Sequence, residues 1–131
     1  MDYRLTAAQL TALVEDVPYP IANLANASAL LWENMENINW VGFYQYQDAQ
    51  LVLGPFQGKP ACVQIPMGKG VCGTAAATGQ IQLVKDVHAF PGHSYCVILQ
   101  GQRHHLSYGN QLLLGMNLRA DPAQGCQRSR Q

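Results

Sequence analysis

The sequence has few charged residues and no excess of either sign. Of its 131 residues, 12% are charged, and eight basic residues balance eight acidic ones. A strong net charge is what draws a protein to nucleic acid or to an anionic membrane surface, so neither partner is expected. The chain also lacks an apolar run of the roughly 18 residues that a membrane-spanning helix needs, so no transmembrane segment is predicted.

The first twenty residues lack the features of a signal peptide. They contain four charged residues and no continuous apolar stretch, so the expected location is the cytoplasm. No internal repeat or low-complexity segment is present. Because 48% of the residues are hydrophobic, a chain of this length can bury the core of one domain without disulfide bonds.

The chain does contain four cysteines, at wide spacing. Cys62 and Cys72 are ten positions apart, Cys96 follows 24 positions later and Cys126 lies near the end. None forms a Cys-x-x-Cys pair or has zinc-finger spacing, and His93 before Cys96 has no second close pair of ligands, so no metal is expected. A cysteine can also be buried as a small hydrophobic residue. Cys72 differs because it stands near the start of a predicted helix, where backbone N–H groups favour a thiolate.

The hydrophobic pattern changes period along the chain. Helical spacing predicts two helices, at 5–16 and 21–35, and a small-residue stretch predicts a short third helix at 71–77. Alternating and β-branched segments predict strands at 39–46, 51–56, 62–65 and 81–84, the first two forming a hairpin across 47–49. The expected fold class is therefore α+β around an antiparallel sheet.

The first predicted strand has two unlike faces. Trp40, Tyr44 and Tyr46 share one face, and Val41, Phe43 and Gln45 take the other. Trp40 and Tyr44 fit core packing, and they also fit the wall of a small-ligand pocket. The segment 68–70 reads Gly-Lys-Gly, lacks the spacing of a phosphate-binding loop, and is expected to be a tight turn at a pocket rim.

Several strings of the sequence closely resemble one known family. The segments 39–44, 51–62, 68–75 and 86–93 are similar to free methionine-(R)-sulfoxide reductases, a GAF-domain family, as are shorter strings in the second predicted helix. The resemblance extends over 1–96. It implies a GAF-like fold, with a central antiparallel sheet and flanking helices.

The resemblance also implies roles for single residues. Cys96 matches the family's nucleophile, whose thiolate attacks the sulfoxide sulfur, so that methionine leaves and a sulfenic acid remains. Cys62 matches the resolving thiol, which condenses with that sulfenic acid to a disulfide. Cys72 would pass the oxidation on or restrain the substrate. Trp40 and Tyr44 match positions that line the methionine sulfoxide pocket.

The redox partners follow from the same resemblance. A thioredoxin-type protein, reduced at the expense of NADPH, would restore the thiols by disulfide exchange, so no bound cofactor is expected. A homodimer is the expected assembly because related proteins are often dimers. Two other functions stay open: a non-catalytic GAF module that binds a small molecule, and a thiol redox sensor.

The resemblance ends at Cys96. In the family, carboxylates after the third cysteine hold the substrate's amino group and supply the proton with which the sulfoxide oxygen leaves as water. Here no glutamate follows Glu36, and Asp121 does not match the family pattern. We therefore expect 1–96 to form a partial GAF-like domain and 97–131 to be a poorly ordered tail without the family's last strands and helix. Turnover by such a chain is expected to be weak or absent.

The net charge changes at the same point. Residues 1–96 carry seven acids and four bases, a net charge of −3, whereas 97–131 carry one acid and four bases, a net charge of +3. A shifted reading frame in the coding DNA explains both changes, because offset codons for 96–100 and 104–108 permit family-like strings. The DNA sequence tests this hypothesis, which fails if no offset frame encodes the missing carboxylates.

Overall fold

The computed structural model describes residues 1–82, 97–99 and 112–118. The helices are α1 (Tyr3–Val14), α2 (Pro20–Asn34) and α3 (Gly70–Thr78), and the strands are β1 (Ile38–Gln47), β2 (Gln50–Gly58), β3 (Gln64–Pro66), β4 (Val97–Leu99) and β5 (Leu112–Leu118). All five strands form one antiparallel sheet in the order β3-β2-β1-β5-β4. The predicted α+β class is confirmed. No described helix combines the length and hydropathy that crossing a lipid bilayer requires.

The helix ends follow local sequence signals. Asp2 caps α1, because its carboxylate accepts hydrogen bonds from the backbone N–H groups of Arg4 at 3.0 Å and Leu5 at 3.1 Å. Helix α2 begins with Pro20, whose missing N–H costs nothing in the first turn. Helix α3 ends at Thr78 and is capped by Gly79, which has a left-handed φ of 68°. The three predicted helices are thus confirmed, each with its ends shifted.

A two-residue turn and a bulge shape the β1–β2 hairpin. Asp48 and Ala49 both have positive φ angles, of 53° and 60°, as a tight hairpin turn requires. Farther along, Gly42 pairs with Phe56 but Tyr44 pairs with Leu53, so β2 has one extra residue between these pairs. The bulge contains Pro55, a residue that cannot donate to the sheet ladder. The hairpin is confirmed, and its bulge is a feature that the sequence pattern did not predict.

The two faces of the sheet have separate cores. Trp40 and Tyr44 belong to a buried cluster that includes residues of α3, and Tyr46 packs against it. Val41 instead belongs to a smaller cluster with Ile38, against which Leu31 and Met35 from the α2 end pack. The predicted division of β1 into two faces is therefore confirmed. Ile38 joins the face of Val41 because the β1–β5 register is irregular between Ile38 and Trp40.

The segment after Cys96 contributes two strands that the sequence pattern did not predict. Strand β5 pairs with β1 from Gln45 to Ile38 on one side and with β4 on the other. Its first three leucines form an apolar run in the sequence, but Gly115 and Asn117 do not favour a strand by themselves. The preference of a segment for a strand depends strongly on the neighbouring strands. Gly115 is buried and pairs directly with Gly42. Most of the predicted strand at 81–84 and the loop 86–92 lie outside the described residues.

Candidate functional site

Three aromatic rings form a layer on the α3 side of the sheet. The Trp40 ring centroid lies 5.4 Å from that of Phe56, with an interplanar angle of 19°, and 6.1 Å from that of Tyr44, with an angle of 29°. All three residues belong to the same hydrophobic cluster or pack against it. Offset stacking at such distances adds to the stability gained by burial. The result is a rigid aromatic wall built on two paired strands.

Gly42 explains how Phe56 enters this layer. It lies between Trp40 and Tyr44 on β1, and a Cβ atom built on it would be 2.2 Å from the Cβ of Phe56. No side chain other than hydrogen fits there, so the ring of Phe56 crosses from β2 towards Trp40. Sequence reasoning found Trp40 and Tyr44 but missed Phe56. The signal that could have found it is a glycine between two aromatic residues of one strand face.

The two predicted cysteines of the described part join this aromatic layer. Cys72 is fully buried as the third residue of α3 and belongs to the same cluster as Trp40 and Tyr44. Cys62 is half-buried in the segment between β2 and β3 and packs against that cluster. The structure therefore brings four of the five predicted site residues together. The fifth, Cys96, lies outside the described residues.

Hydrogen bonds hold the segment that carries Cys62. The Tyr44 hydroxyl donates to the backbone carbonyl of Cys62 at 2.8 Å. One residue later, the backbone N–H of Leu53 donates to the carbonyl of Val63 at 2.9 Å. Both donors lie in strands of the sheet, so the Cys62 segment is anchored to the most regular part of the fold.

A glycine turn leads Cys72 to the start of α3. Gly68 and Gly70 have positive φ angles of 79° and 63°, conformations that glycine adopts without strain. The Gly68 N–H donates to the carbonyl of Gly73 at 2.8 Å, and Lys69 caps the helix without a side-chain hydrogen bond. The predicted tight turn at 68–70 is confirmed. Gly70, Val71 and Cys72 are buried, and Val71 and Cys72 belong to the cluster, so the partially positive end of the helix lies against the cluster.

The indole nitrogen of Trp40 is a buried donor. Trp40 is 6% exposed, and its Nε1–H has no hydrogen-bond acceptor in the part of the chain that the structure describes. A buried donor without an acceptor costs free energy, and one at a binding site is available to a ligand. A ligand with an acceptor oxygen beside an apolar group matches this donor and the rings around it.

A cleft of about 290 Å³ lies elsewhere, on the α2 side of the sheet. It is lined by Ile21, Leu24, Phe43, Gln45, Leu53, Gly54 and Pro55. None of the predicted site residues lines it. Within the described residues, no group of three or more histidine, cysteine or acidic side chains is placed to hold a metal ion.

Comparison with known proteins identifies relatives. No protein-family model matches the chain. The curated free methionine-R-sulfoxide reductase of Escherichia coli (strain K12) is 62% identical over 76 residues, which are 58% of this chain and 46% of that protein. The chain spans 46 to 60% of the length of the curated relatives it matches.

This chain covers a larger share of the solved structures that it matches. The free methionine-R-sulfoxide reductase from Neisseria meningitidis, solved in complex with its substrate, is 35% identical with a TM-score of 0.74, over 91% of this chain and 76% of that chain. A structure described as that of the GAF domain is 34% identical with a TM-score of 0.75, over 88% of this chain and 72% of that chain. The fold is therefore a GAF fold, and the chain belongs to the family of free methionine-R-sulfoxide reductases.

Proposed function

We propose that this chain reduces free methionine (R)-sulfoxide to methionine with its cysteine thiols. The Cys96 thiolate attacks the sulfoxide sulfur, methionine leaves and a sulfenic acid remains on Cys96. The Cys62 thiol then forms a disulfide with that sulfur and releases water. A thioredoxin-type protein, reduced at the expense of NADPH, restores both thiols by exchange, so the chain itself needs no bound cofactor.

One observation carries this proposal: Cys62 and Cys72 pack in the same cluster as Trp40 and Tyr44. A site for methionine sulfoxide needs thiols next to a surface that accepts a thioether end, and aromatic rings make favourable contacts with sulfur and its methyl group. The half-buried Cys62 keeps access to solvent, as a thiol that must meet a protein reductant requires. Membership of the reductase family supports the same assignment.

The buried indole donor supports a sulfoxide as the ligand. The sulfoxide group has one strong acceptor oxygen beside its methyl group, and Trp40 offers an N–H beside aromatic rings. Methionine itself lacks that oxygen, so a site with this donor favours the oxidised amino acid over the product.

The sequence after Cys96 lowers the expected rate. The family's late carboxylates, which by resemblance hold the amino group and supply the proton, have no match in 97–131. Water or a thiol must then protonate the departing oxygen, and a positioned acid is typically worth about 10²- to 10⁴-fold in rate. We therefore propose slow turnover by this chain.

A single-turnover assay tests the function directly. Reduced protein is mixed with free methionine (R)-sulfoxide, and released methionine and remaining thiols are counted over time. We expect one methionine formed for each two thiols lost, slowly, with none formed by Cys96→Ser. The S epimer serves as the control substrate and should give no methionine.

The coupled assay and the remaining thiols separate the other functions. Thioredoxin, its reductase and NADPH should support repeated turnover. Binding without methionine release would contradict the proposal in favour of a non-catalytic GAF module. Thiol oxidation by peroxide but not by the sulfoxide would favour a redox sensor.

We propose a homodimer in the cytoplasm as the assembly of this chain. Helix α1 buries only Thr6 among its residues, and large apolar side chains remain exposed on both leading helices. Examples are Leu5, Leu13, Ile21 and Trp32. Apolar and aromatic surface with few charges is typical of the centre of an interface between protein chains.

A further inference from the structure

We infer that Tyr44 is a positioning residue for Cys62, acting through the hydrogen bond from its hydroxyl to the Cys62 carbonyl. The aromatic wall and the resolving thiol are then parts of one rigid unit. This inference rests on the proposed function, which it deepens by assigning a residue to the second chemical step, the closure of the disulfide.

Tyr44 is suited to anchor another segment because it is itself held on all sides. It is 1% exposed, and it pairs with Leu53 of β2 on one side and with Leu113 of β5 on the other. Its ring stacks on Trp40. A side chain in the middle of three paired strands has little freedom to move, so its hydroxyl defines a fixed point.

The Cys62 segment depends on contacts of this kind. It links β2 to β3 without regular structure of its own, and two of its contacts are the hydrogen bonds from the Tyr44 hydroxyl to the Cys62 carbonyl, 2.8 Å, and from the Leu53 N–H to the Val63 carbonyl, 2.9 Å. The Tyr44 anchor acts on the cysteine itself. Loss of the hydroxyl removes it while leaving the Leu53 anchor in place.

The resolving step is sensitive to this placement. The Cys62 sulfur forms a bond to the Cys96 sulfur, the S–O bond of the sulfenic acid breaks, and the oxygen leaves as water with the thiol proton of Cys62. This step needs no further oxidant, because methionine sulfoxide has already oxidised Cys96 to the sulfenic acid. An intramolecular reaction of two groups gains its speed from holding them close, so a looser Cys62 segment slows disulfide closure.

The variant Tyr44→Phe tests the inference, because it keeps the ring and removes the hydroxyl. The matched control is Tyr46→Phe, on the same strand and against the same cluster. Iodoacetamide alkylation of Cys62 is followed by peptide mass spectrometry, with Cys72 as the internal reference. We expect alkylation of Cys62 to be about two to ten times faster in Tyr44→Phe, the range that one hydrogen bond covers, and unchanged in Tyr46→Phe.

A second measurement follows the chemistry. Sulfenic acid is generated with hydrogen peroxide and, separately, with methionine (R)-sulfoxide, and is trapped with dimedone while the disulfide is counted. We expect disulfide closure to slow by a similar factor in Tyr44→Phe with either oxidant, and sulfenic acid to accumulate.

The outcomes separate this inference from the proposed function. Equal alkylation of Cys62 in Tyr44→Phe and the parent protein, or equal rates of disulfide closure with peroxide, overturns the positioning role. A parent protein that closes the disulfide with peroxide but releases no methionine from the sulfoxide contradicts the proposed function alone. Slower methionine release in Tyr44→Phe with unchanged disulfide closure would assign the hydroxyl to the first step instead.

Discussion

At the scale of single residues, the aromatic layer depends on one missing side chain. Gly42 lets Phe56 lie against β1 between Trp40 and Tyr44, because the space of its Cβ is already filled by Phe56. The neighbouring strand residue is a glycine as well, since Gly42 pairs with Gly115 of β5. The two paired glycines therefore leave space at the centre of the sheet, and the aromatic rings occupy that space.

The substitution Gly42→Ala should displace Phe56 from this layer. Its Cβ would lie 2.2 Å from the Cβ and 2.8 Å from the Cα of Phe56, so the strands must shift. Overpacking of this kind typically costs about 1–3 kcal/mol of the free energy of unfolding. Chemical denaturation measures that loss, and near-ultraviolet circular dichroism reports the weaker Trp40–Phe56 stacking.

Gly54→Ala is the matched control for that prediction. Its nearest neighbour would be the Phe43 carbonyl oxygen at 3.0 Å, a contact that a small movement relieves. We expect a smaller loss of stability and an unchanged aromatic circular dichroism signal. Equal effects of the two substitutions would contradict the role given to Gly42.

The sequence predicted the residues of the site better than their surroundings. Trp40 and Tyr44 could be placed on one face because side chains alternate along a strand. Phe56 could not, because its position depends on a bulge in β2 that shifts the register by one residue. The Tyr44–Cys62 hydrogen bond joins residues 18 positions apart, and no local pattern encodes such a contact.

At the scale of elements, Ser28 joins α2 to the bulge of β2. It is fully buried, and its hydroxyl lies 2.9 Å from the Leu24 carbonyl within the helix and 3.1 Å from the Pro55 carbonyl. A serine inside a helix commonly satisfies its hydroxyl on the preceding turn. The additional contact to Pro55 connects the helix to the one irregular part of β2.

The substitution Ser28→Ala should therefore destabilise the chain by about 1–2 kcal/mol, since it removes the donor to Pro55 from a buried site. Thr11→Ala is the matched control, because Thr11 has the same kind of bond to the Ala7 carbonyl at 2.9 Å but lies exposed on α1. We expect its effect to stay within about 0.5 kcal/mol. Thermal and urea unfolding measure both, and a Ser28→Ala effect no larger than that of Thr11→Ala would show that the Pro55 contact is not stabilising.

The elements that the sequence predicted are those with local signals. The helical periodicity and the hairpin turn across 47–49 are both read within a few residues. Strand β5 is different, because only pairing with β1 and β4 makes a strand of a segment with Gly115 and Asn117 in it. The paired residues of β1 lie 67 to 80 positions away in sequence and those of β4 lie 15 to 19 positions away, so no short window contains the information.

At the scale of the whole molecule, the segment after Cys96 combines two properties. By sequence it has a net charge of +3 and lacks the carboxylates that the resemblance leads us to expect. By structure, β5 lies between β1 and β4 and is therefore an interior strand of the sheet. Strands β4 and β5 of this segment therefore contribute to the fold, although the expected carboxylates are missing from the segment.

The position of β5 beside β1 predicts the effect of removing the segment after residue 96. A chain that ends at residue 96 loses β4 and β5, which leaves β1 with an unpaired edge along its length from Ile38 to Gln45. Exposed edges of this kind pair with other chains, and only three of the five described strands remain. We expect this truncated chain to aggregate or to unfold without a cooperative transition, as measured by light scattering and circular dichroism during heating.

A chain that ends at Leu118 is the matched control, since it keeps every strand of the described sheet. It should unfold cooperatively, with a midpoint close to that of the full chain. Cooperative unfolding of the chain ending at residue 96 would mean that β1 to β3 and the three helices form a stable core on their own. In that case the pairing of β5 with β1 would contribute little to stability, and the site around Trp40, Cys62 and Cys72 could be studied without the tail.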